Sequence, residues 1–464
     1  MIRNHVLGIH DRGKDMQFSD IPNVNQLLGL SIFDGTSKEW ATHIVRLCTE
    51  EVRLQIRGGH LNKIWTLDDW GAFLKNKKEE LSQGRYQRVI NATGIVVHTN
   101  LGRAPISAEV LNYMTLVSQY TDLELQLQTG KRGGRISGIR DKLRQLTGAE
   151  DALVVNNNAA AVLLVLSAIS SGREVIVSRG ELVEIGGSFR VPDVIQQGGA
   201  ILKEVGCTNR TRVSDFEHAI SDQTGAILRV HPSNYQIVGF TERADRSELA
   251  ELARVHNVPL IDDLGSGLLN RAPNVPWRQE LEHEESIAEA IRSGVDLVCA
   301  SGDKLLGGVQ AGLIVGRADL IALCRSHPLY RAIRLDKMML AGLEATLQIH
   351  LEGRASDLPV WHYLERTQTD CRRLAEKLVQ QLSRPEVTMR EDVSLVGGGA
   401  SPERVLPTWV IEIATENSED FAQALRTGYP AIMPRIQRGH ILLDLRTIDA
   451  MDIEDICDRI AACL

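Results

Sequence analysis

No CxxC pair occurs among the seven cysteines of this 464-residue chain. Cys48, Cys207, Cys299, Cys324, Cys371, Cys457 and Cys463 are odd in number and scattered. That pattern suits neither a disulfide framework nor a zinc framework, so no metal site is expected, and the thiols read as reduced groups of a cytosolic protein. A clean apolar run is also lacking. The longest uncharged stretch, 152–172, is interrupted by Asn156, Asn157 and Asn158, and unpaired amides are costly in hydrocarbon, so no membrane span is expected. Arg3, Asp11, Arg12 and Lys14 stand where a signal peptide would carry its apolar segment. Nor is there an excess of positive charge: 52 Lys+Arg against 60 Asp+Glu gives −8, which excludes a uniformly basic nucleic-acid glove.

What is present is ordinary globular material, 43% hydrophobic and 24% charged, which allows a sizeable core and excludes collagen, coiled coil and wholesale disorder. The length corresponds to roughly three domains at ~150 residues each. Residues 1–85 show helical periodicity in "IPNVNQLLG" and "WATHIVRLCTEEVRLQIRGG", with Gly58-Gly59 as a stop. After the charged stretch 75–80 the character changes, which puts a boundary near residue 85. Residues 1–90 hold 13 Lys/Arg and 11 Asp/Glu, a balance of +2 that leaves −10 for the remainder.

Residues 86–335 form the expected core. Strands are predicted at 152–155, 174–177, 201–205, 226–230, 258–261, 295–299 and 311–315, separated by amphipathic segments such as "RSELAELARVH" and "EESIAEAIRSG". This alternation predicts an α/β fold with a mainly parallel sheet covered by helices, whose ligands sit beyond the C-terminal strand ends. Residues 336–464 read as a long helical connection and a small α+β domain containing "TWVIEI", "HILLDLR" and a closing helix.

Three elements of the core can carry chemistry. Lys304 follows an apolar strand through Ser301-Gly302-Asp303 and precedes Gly307-Gly308. Most lysines are solvated surface groups, but one on a glycine-flanked turn between buried strands is desolvated and loses its proton readily, as a Schiff-base lysine must. Asp262 and Asp263 end the strand of "VPLIDDLGSG"; an acid there serves either as a turn former or as the carboxylate that keeps a pyridoxal ring nitrogen protonated. In "VVNNNAAAVLLVL" a strand, three Asn and an Ala-rich helix form either an ordinary capped helix or an anion cradle of helix N-terminal amides. The order cradle, Asp, Lys matches pyridoxal-phosphate enzymes built like aspartate aminotransferase, while GxxxxGK[ST] and a GxGxxG after the first strand are missing.

"INATGIVVHTNLGRAPIS", "VVNNNAAAVLLVL", "SRGELVEIGGSFRVPDV", "VHPSNYQIVGFT", "DDLGSG", "SGDKLLGGVQAGLIVG" and "HPLYRAIRLDK" together resemble the bacterial selenocysteine synthase family, the L-seryl-tRNA(Sec) selenium transferases. The likeness runs from about 85 to 350 and continues more weakly through "LVGGGASPERVLP" and "ILLDLRTI"; "IPNVNQLL" is similar to the family's opening helix. The resemblance implies that Lys304 holds pyridoxal 5'-phosphate and removes the serine α-proton beside Asp303. It implies that Asp263 faces the ring nitrogen, that Asn156, Asn157, Asn158, Ala159 and Ala160 bind the cofactor phosphate, and that Ser301 belongs to the same cofactor site. Arg103, Arg331 and Arg334 match arginines that bind selenophosphate, an anion that guanidinium forks suit; the competing reading of Arg331 and Arg334 is a salt-bridged exposed helix face. His231 and Asn234 line the pocket or sit as satisfied core groups.

The implied reaction is β-replacement: seryl-tRNA(Sec) loses its hydroxyl through an aminoacrylyl intermediate, and selenium adds to give selenocysteinyl-tRNA(Sec). The implied partners are tRNA(Sec), met by the N-terminal segment, and further copies of the chain in a ring of dimers, with a decamer as the expected size. Val309 stands where the family usually has Pro, and Leu125 and Gln126 replace expected aromatic and acidic residues. The alternative reading is a pyridoxal-phosphate lyase acting on a small amino acid or amino sugar without tRNA, a class that generally lacks the N-terminal domain.

Overall fold

The computed structural model describes residues 15–464 except 62, 83, 85, 186–188, 233, 271–280, 282–283 and 399–403. The charges at Arg3, Asp11, Arg12 and Lys14, residues 186–188 of "SRGELVEIGGSFRVPDV", Ser233 of "VHPSNY" and 399–403 of "LVGGGASPERVLP" lie outside the described residues. The chain divides into two compact units, 1–88 and 89–464.

The first unit is helical, as its periodicity predicts. Asn23 caps Val24–Leu28 by accepting from the Gln26 amide, and Ser37 caps Lys38–Arg57 by accepting from Trp40. The long helix stops where the glycine pair stands: Gly58 is its C-cap, and Gly59 takes a positive φ of 69°. With Leu67–Ser82 these helices enclose a core of Leu27, Ile44, Val45, Cys48, Trp70 and Leu74. The charged stretch 75–80 lies in the last of these helices, where Lys77 reaches Glu51 and Glu80.

The second unit is built on a seven-stranded sheet. Its order is Asp151–Val155, Gly312–Gly316, Leu297–Ser301, Leu260–Gly265, Thr224–Val230, Glu174–Ser178, Ile201–Val205. Each strand overlaps a predicted one. All are parallel except Gly312–Gly316, which runs antiparallel to both neighbours. Alternate residues feed cores on opposite faces: Leu260 and Leu264 pack into one, Ile261 into the other. The uncharged stretch 152–172 spans a strand and the helix Asn158–Ile169, and no helix among the described residues is long and apolar enough to cross a membrane.

After the helix Lys337–Leu351, a five-stranded sheet runs in the order Arg435–Gln437, His440–Asp444, Val405–Ile413, Val387–Gly397, Ile95–Val97. Here the structure departs from the expected partition. Val89–Asn91 pairs parallel with Ala431–Met433, and Ile95–Val97 pairs with the Val387–Gly397 strand. Ile90 and Ala92 therefore belong to the core of the C-terminal layer, with Ile411, Leu443 and Ile456, although they open the segment read as 86–335. Pairing across 300 residues or more leaves no local signal.

Candidate active site

The strand Leu260–Gly265 separates two neighbouring carboxylates. Asp262 lies on the side of Leu260 and Leu264, where Arg229 Nη1 and Arg246 Nε donate to its Oδ2 at 2.9 and 2.7 Å. Burial alone would raise its pKa, but Arg229, Arg246 and Arg243 hold it below the ordinary value. Asp263 lies on the side of Ile261, where Asn158 Nδ2 donates to its Oδ1 at 2.7 Å. Its environment is poorer in cations, and burial pushes its pKa up to about 6 against the lowering pull of Asn158 and Lys304. The structure thus separates a charge-paired structural acid, Asp262, from a buried acid with a tunable proton, Asp263.

The three asparagines do different work. Asn157 caps the following helix by accepting from the Ala160 amide at 2.9 Å, which leaves the Asn158 and Ala159 amides without an intrahelical acceptor. Asn158 turns its side chain to Asp263, and its backbone amide stays open. Asn156 is likewise engaged elsewhere: its backbone amide donates to Ile333 O at 2.9 Å, and its side-chain amide, oriented to satisfy both ends, donates to Ile333 O and Arg334 O. Side chains at 156 and 158 are thus engaged with neighbours, and the backbone amides left open at this helix start are those of Asn158 and Ala159.

Lys304 sits on the connection between the antiparallel strands Leu297–Ser301 and Gly312–Gly316. Gly302 N donates to Ala311 O at 2.8 Å, Leu305 N to Ser266 O at 2.9 Å and Ala104 N to Asp303 O at 3.1 Å, so the turn is pinned from three sides. Close approach explains two glycines: a β-carbon on Gly267 would lie 2.1 Å from Ser301 O, and one on Gly312 would lie 2.1 Å from Asn157 O. Ser301 is buried at the strand end. Lys304 Nζ lies 3.9 Å from where a β-carbon on Gly265 would be, at the end of the Asp263 strand. Burial lowers the Lys304 pKa, opposed by Asp263, Asp303 and Glu284. That is the condition a nucleophilic amine requires.

Arg103 Nη1 donates to Asp303 Oδ2 at 2.5 Å, from a backbone held at a φ of +66°. The left-handed conformation is a local cost for a non-glycine residue. Both residues line a cavity of about 310 Å³ with Thr99, Gly308, Val309 and Gln310. Arg331 and Arg334 belong to the helix Pro328–Ile333 and its C-cap. Asn156 ties this segment to the strand end, yet Arg331 is exposed and Arg334 lies 3.9 Å from Glu124 Oε1. Leu125 and Gln126 form an exposed hairpin strand with Lys131–Arg132, whose neighbour Glu124 also holds Arg135 at 3.1 Å.

A second cavity, of about 370 Å³, is lined by His231, Glu284, Tyr235, Glu181, Arg243 and Arg404, among others. Asn234 is exposed and donates to Glu184 O at 2.9 Å. Glu284, Arg243 and Glu181 were not distinguishable in the sequence from surface charges, since only the fold brings them to His231. Three buried polar atoms around Lys304 and Asp263 have no hydrogen-bond partner among the described residues: Asn158 Oδ1, His231 Nδ1 and Ser266 Oγ. Buried polar atoms are rarely left so. A buried acid, a desolvated lysine, open helix amides and orphaned polar atoms fit a polar aromatic group with an anionic arm, as pyridoxal phosphate is.

The chain matches the model of the SelA family, L-seryl-tRNA selenium transferase, over residues 89–449. It is 43% identical over 452 residues to the L-seryl-tRNA(Sec) selenium transferase of Carboxydothermus hydrogenoformans, covering 95% of this chain and 96% of that protein. The chain belongs to the L-seryl-tRNA selenium transferase family. The relative of the same name from Aquifex aeolicus is 43% identical over 397 residues, 84% of this chain and 87% of that protein. Family members thus align beyond the second unit, into residues 1–88. Among solved structures, D-glucosaminate-6-phosphate ammonia-lyase superposes with a TM-score of 0.60 at 22% identity, over 83% of this chain and 97% of that one. That likeness supports the architecture of the second unit.

Proposed function

We propose that this protein converts L-seryl-tRNA(Sec) to selenocysteinyl-tRNA(Sec) in the cytoplasm, with pyridoxal phosphate as cofactor and selenophosphate as selenium donor. The observation that carries the reading is the meeting of Lys304, Asp263 and Asn158 at the strand ends of a chain in this family. Lys304 would hold the cofactor, Asp263 its ring nitrogen, and the open helix amides of Asn158 and Ala159 its phosphate, with Ser301 at the adjoining strand end. When bound, the cofactor supplies an electron sink that acidifies the Cα–H of an amino acid joined through its amine.

The chain's own groups then divide the work. Lys304 Nζ accepts the Cα proton, for which its lowered pKa suits it. Asp263, fixed by Asn158, keeps a negative charge opposite the ring. Arg103 orients Asp303 and would offer a guanidinium to the selenophosphate anion, and Arg331 and Arg334, on the segment tied to Asn156, would add theirs. The helical first unit would meet tRNA(Sec), and a ring of dimers would be the assembly. Incubation of the purified protein with seryl-tRNA(Sec) and selenophosphate, followed by identification of the esterified amino acid, tests the reading. Selenocysteine is expected; unchanged serine, with turnover of a free amino acid or amino sugar, would favour a small-molecule lyase.

A further inference from the structure

On the reading above, Lys304 is committed to the Cα proton, and the seryl hydroxyl still needs an acid, because hydroxide is a poor leaving group. The cavity of about 370 Å³ holds a suitable pair. His231 directly follows the strand Thr224–Val230, and its backbone amide donates to Asp263 O at 2.9 Å. Its Nε2 lies 3.6 Å from Oε2 of Glu284, a residue only 1% exposed, while its Nδ1 is buried with no partner among the described residues.

The strand end before His231 is tied down. Glu181 accepts from Val230 N at 3.1 Å, Arg243 Nη2 donates to Val230 O at 3.2 Å, and Arg243 Nε donates to Glu181 at 2.7 Å. Burial works against the imidazolium, but Glu284 and Glu285 outweigh burial and Arg243, so the His231 pKa is raised. An imidazole with a carboxylate behind one nitrogen and no protein partner at the other has the arrangement of a general acid.

We propose that His231, oriented by Glu284, is the acid that protonates the seryl hydroxyl as it departs. The proposal rests on the function proposed above. Lys304 takes the Cα proton, and the electron pair of that bond becomes the Cα=Cβ bond. The Cβ–O bond breaks with its pair on oxygen, and the His231 proton completes the new O–H bond. Water leaves, His231 is left neutral, and no oxidant or reductant is required.

A substrate whose leaving group needs no proton separates this role from a structural one. Elimination from seryl-tRNA(Sec) and from β-chloroalanyl-tRNA(Sec) is compared in wild type, His231→Gln and Glu284→Gln, with Cα exchange in D2O read in parallel. In His231→Gln the seryl rate should fall about 10²–10⁴-fold, whereas chloride loss and Cα exchange should stay within about threefold of wild type. An unchanged seryl rate, or equal losses on both substrates, would overturn the proposal. If His231→Gln does not fold, Glu284→Gln decides by the same comparison. Wild-type turnover of seryl-tRNA(Sec) is the control: its absence overturns the function itself, a result distinct from any difference between variants.

Discussion

The side-chain amide of Asn158 donates to Asp263 Oδ1 at 2.7 Å, joining the first turn of a helix to the end of a strand 105 residues later. This bond is the main hydrogen bond opposing the effect of burial on Asp263. Asn158→Ala should therefore raise the Asp263 pKa further and weaken cofactor binding. A hydrogen bond to a charged group contributes ~1.5–3 kcal/mol, or roughly 10- to 100-fold in affinity. Titration of cofactor-free protein with pyridoxal phosphate, followed by absorbance, measures it; unchanged affinity would contradict the assignment.

Asp263 also sets a pH dependence of stability. A carboxyl whose folded pKa is about 6, above its unfolded value of 3.8, favours the folded state most below pH 3.8, and this advantage is lost as pH rises through about 6. The loss is on the order of 2–3 kcal/mol. Urea denaturation of cofactor-free wild type and Asp263→Asn at pH 5 and pH 7.5 should show the wild type losing ground to the variant at the higher pH. The same variant should bind cofactor but exchange the substrate Cα proton orders of magnitude more slowly. Equal stability differences at both pH values would show that Asp263 does not titrate in this range.

Asp262 should behave oppositely. Its removal leaves Arg229, itself buried, without its closest carboxylate. Asp262→Ala should cost about 3–5 kcal/mol of stability, because breaking a buried pair strands a charge. Chemical denaturation and turnover of Asp262→Ala beside Asp263→Ala check this: the larger loss of stability is expected at 262, and the larger catalytic defect at 263.

This contrast marks what the sequence shows and what it hides. The strands, the helix caps at Asn23 and Asn157 and the Gly58-Gly59 stop follow from local chemistry, and so does Lys304 on its glycine-flanked turn. That the two adjacent aspartates face opposite sides of the sheet is also implicit in strand alternation. The division of labour among Asn156, Asn157 and Asn158 is not, since it depends on Ile333 and Asp263, which only folding brings near. The cavity with His231 and Glu284 is hidden for the same reason.

Lys304→Ala should leave the fold intact and abolish turnover, since the side chain would be both the cofactor's anchor and the proton acceptor. Borohydride reduction of wild type should add the cofactor's mass to the Lys304 peptide and to no other. A variant that keeps more than about a tenth of the wild-type rate would refute the role.

The first unit gives a prediction about salt. A protein lacking residues 1–88 keeps the sheet, Asp263 and Lys304, and should bind cofactor but lose most of its affinity for tRNA(Sec). Full-length binding should weaken as salt rises, each neutralised phosphate contributing a slope of up to about −0.9 in the log–log plot, and less on single strands. Filter binding of both proteins at two salt concentrations decides it; equal affinities would place recognition in the second unit.

The pairing of Val89–Asn91 with Ala431–Met433 has a consequence for the growing chain on the ribosome. The first strand emerges 342 residues before its partner, counting from Val89 to Ala431. At ~5–20 residues per second that is roughly 20–70 seconds during which its edge is unmatched. The seven-stranded sheet, complete by Gly316, can collapse in the interval. The apolar face of Ile90 and Ala92 must meanwhile be sheltered by a chaperone or held by transient contacts, so synthesis should be most sensitive to chaperone depletion between these two points of elongation.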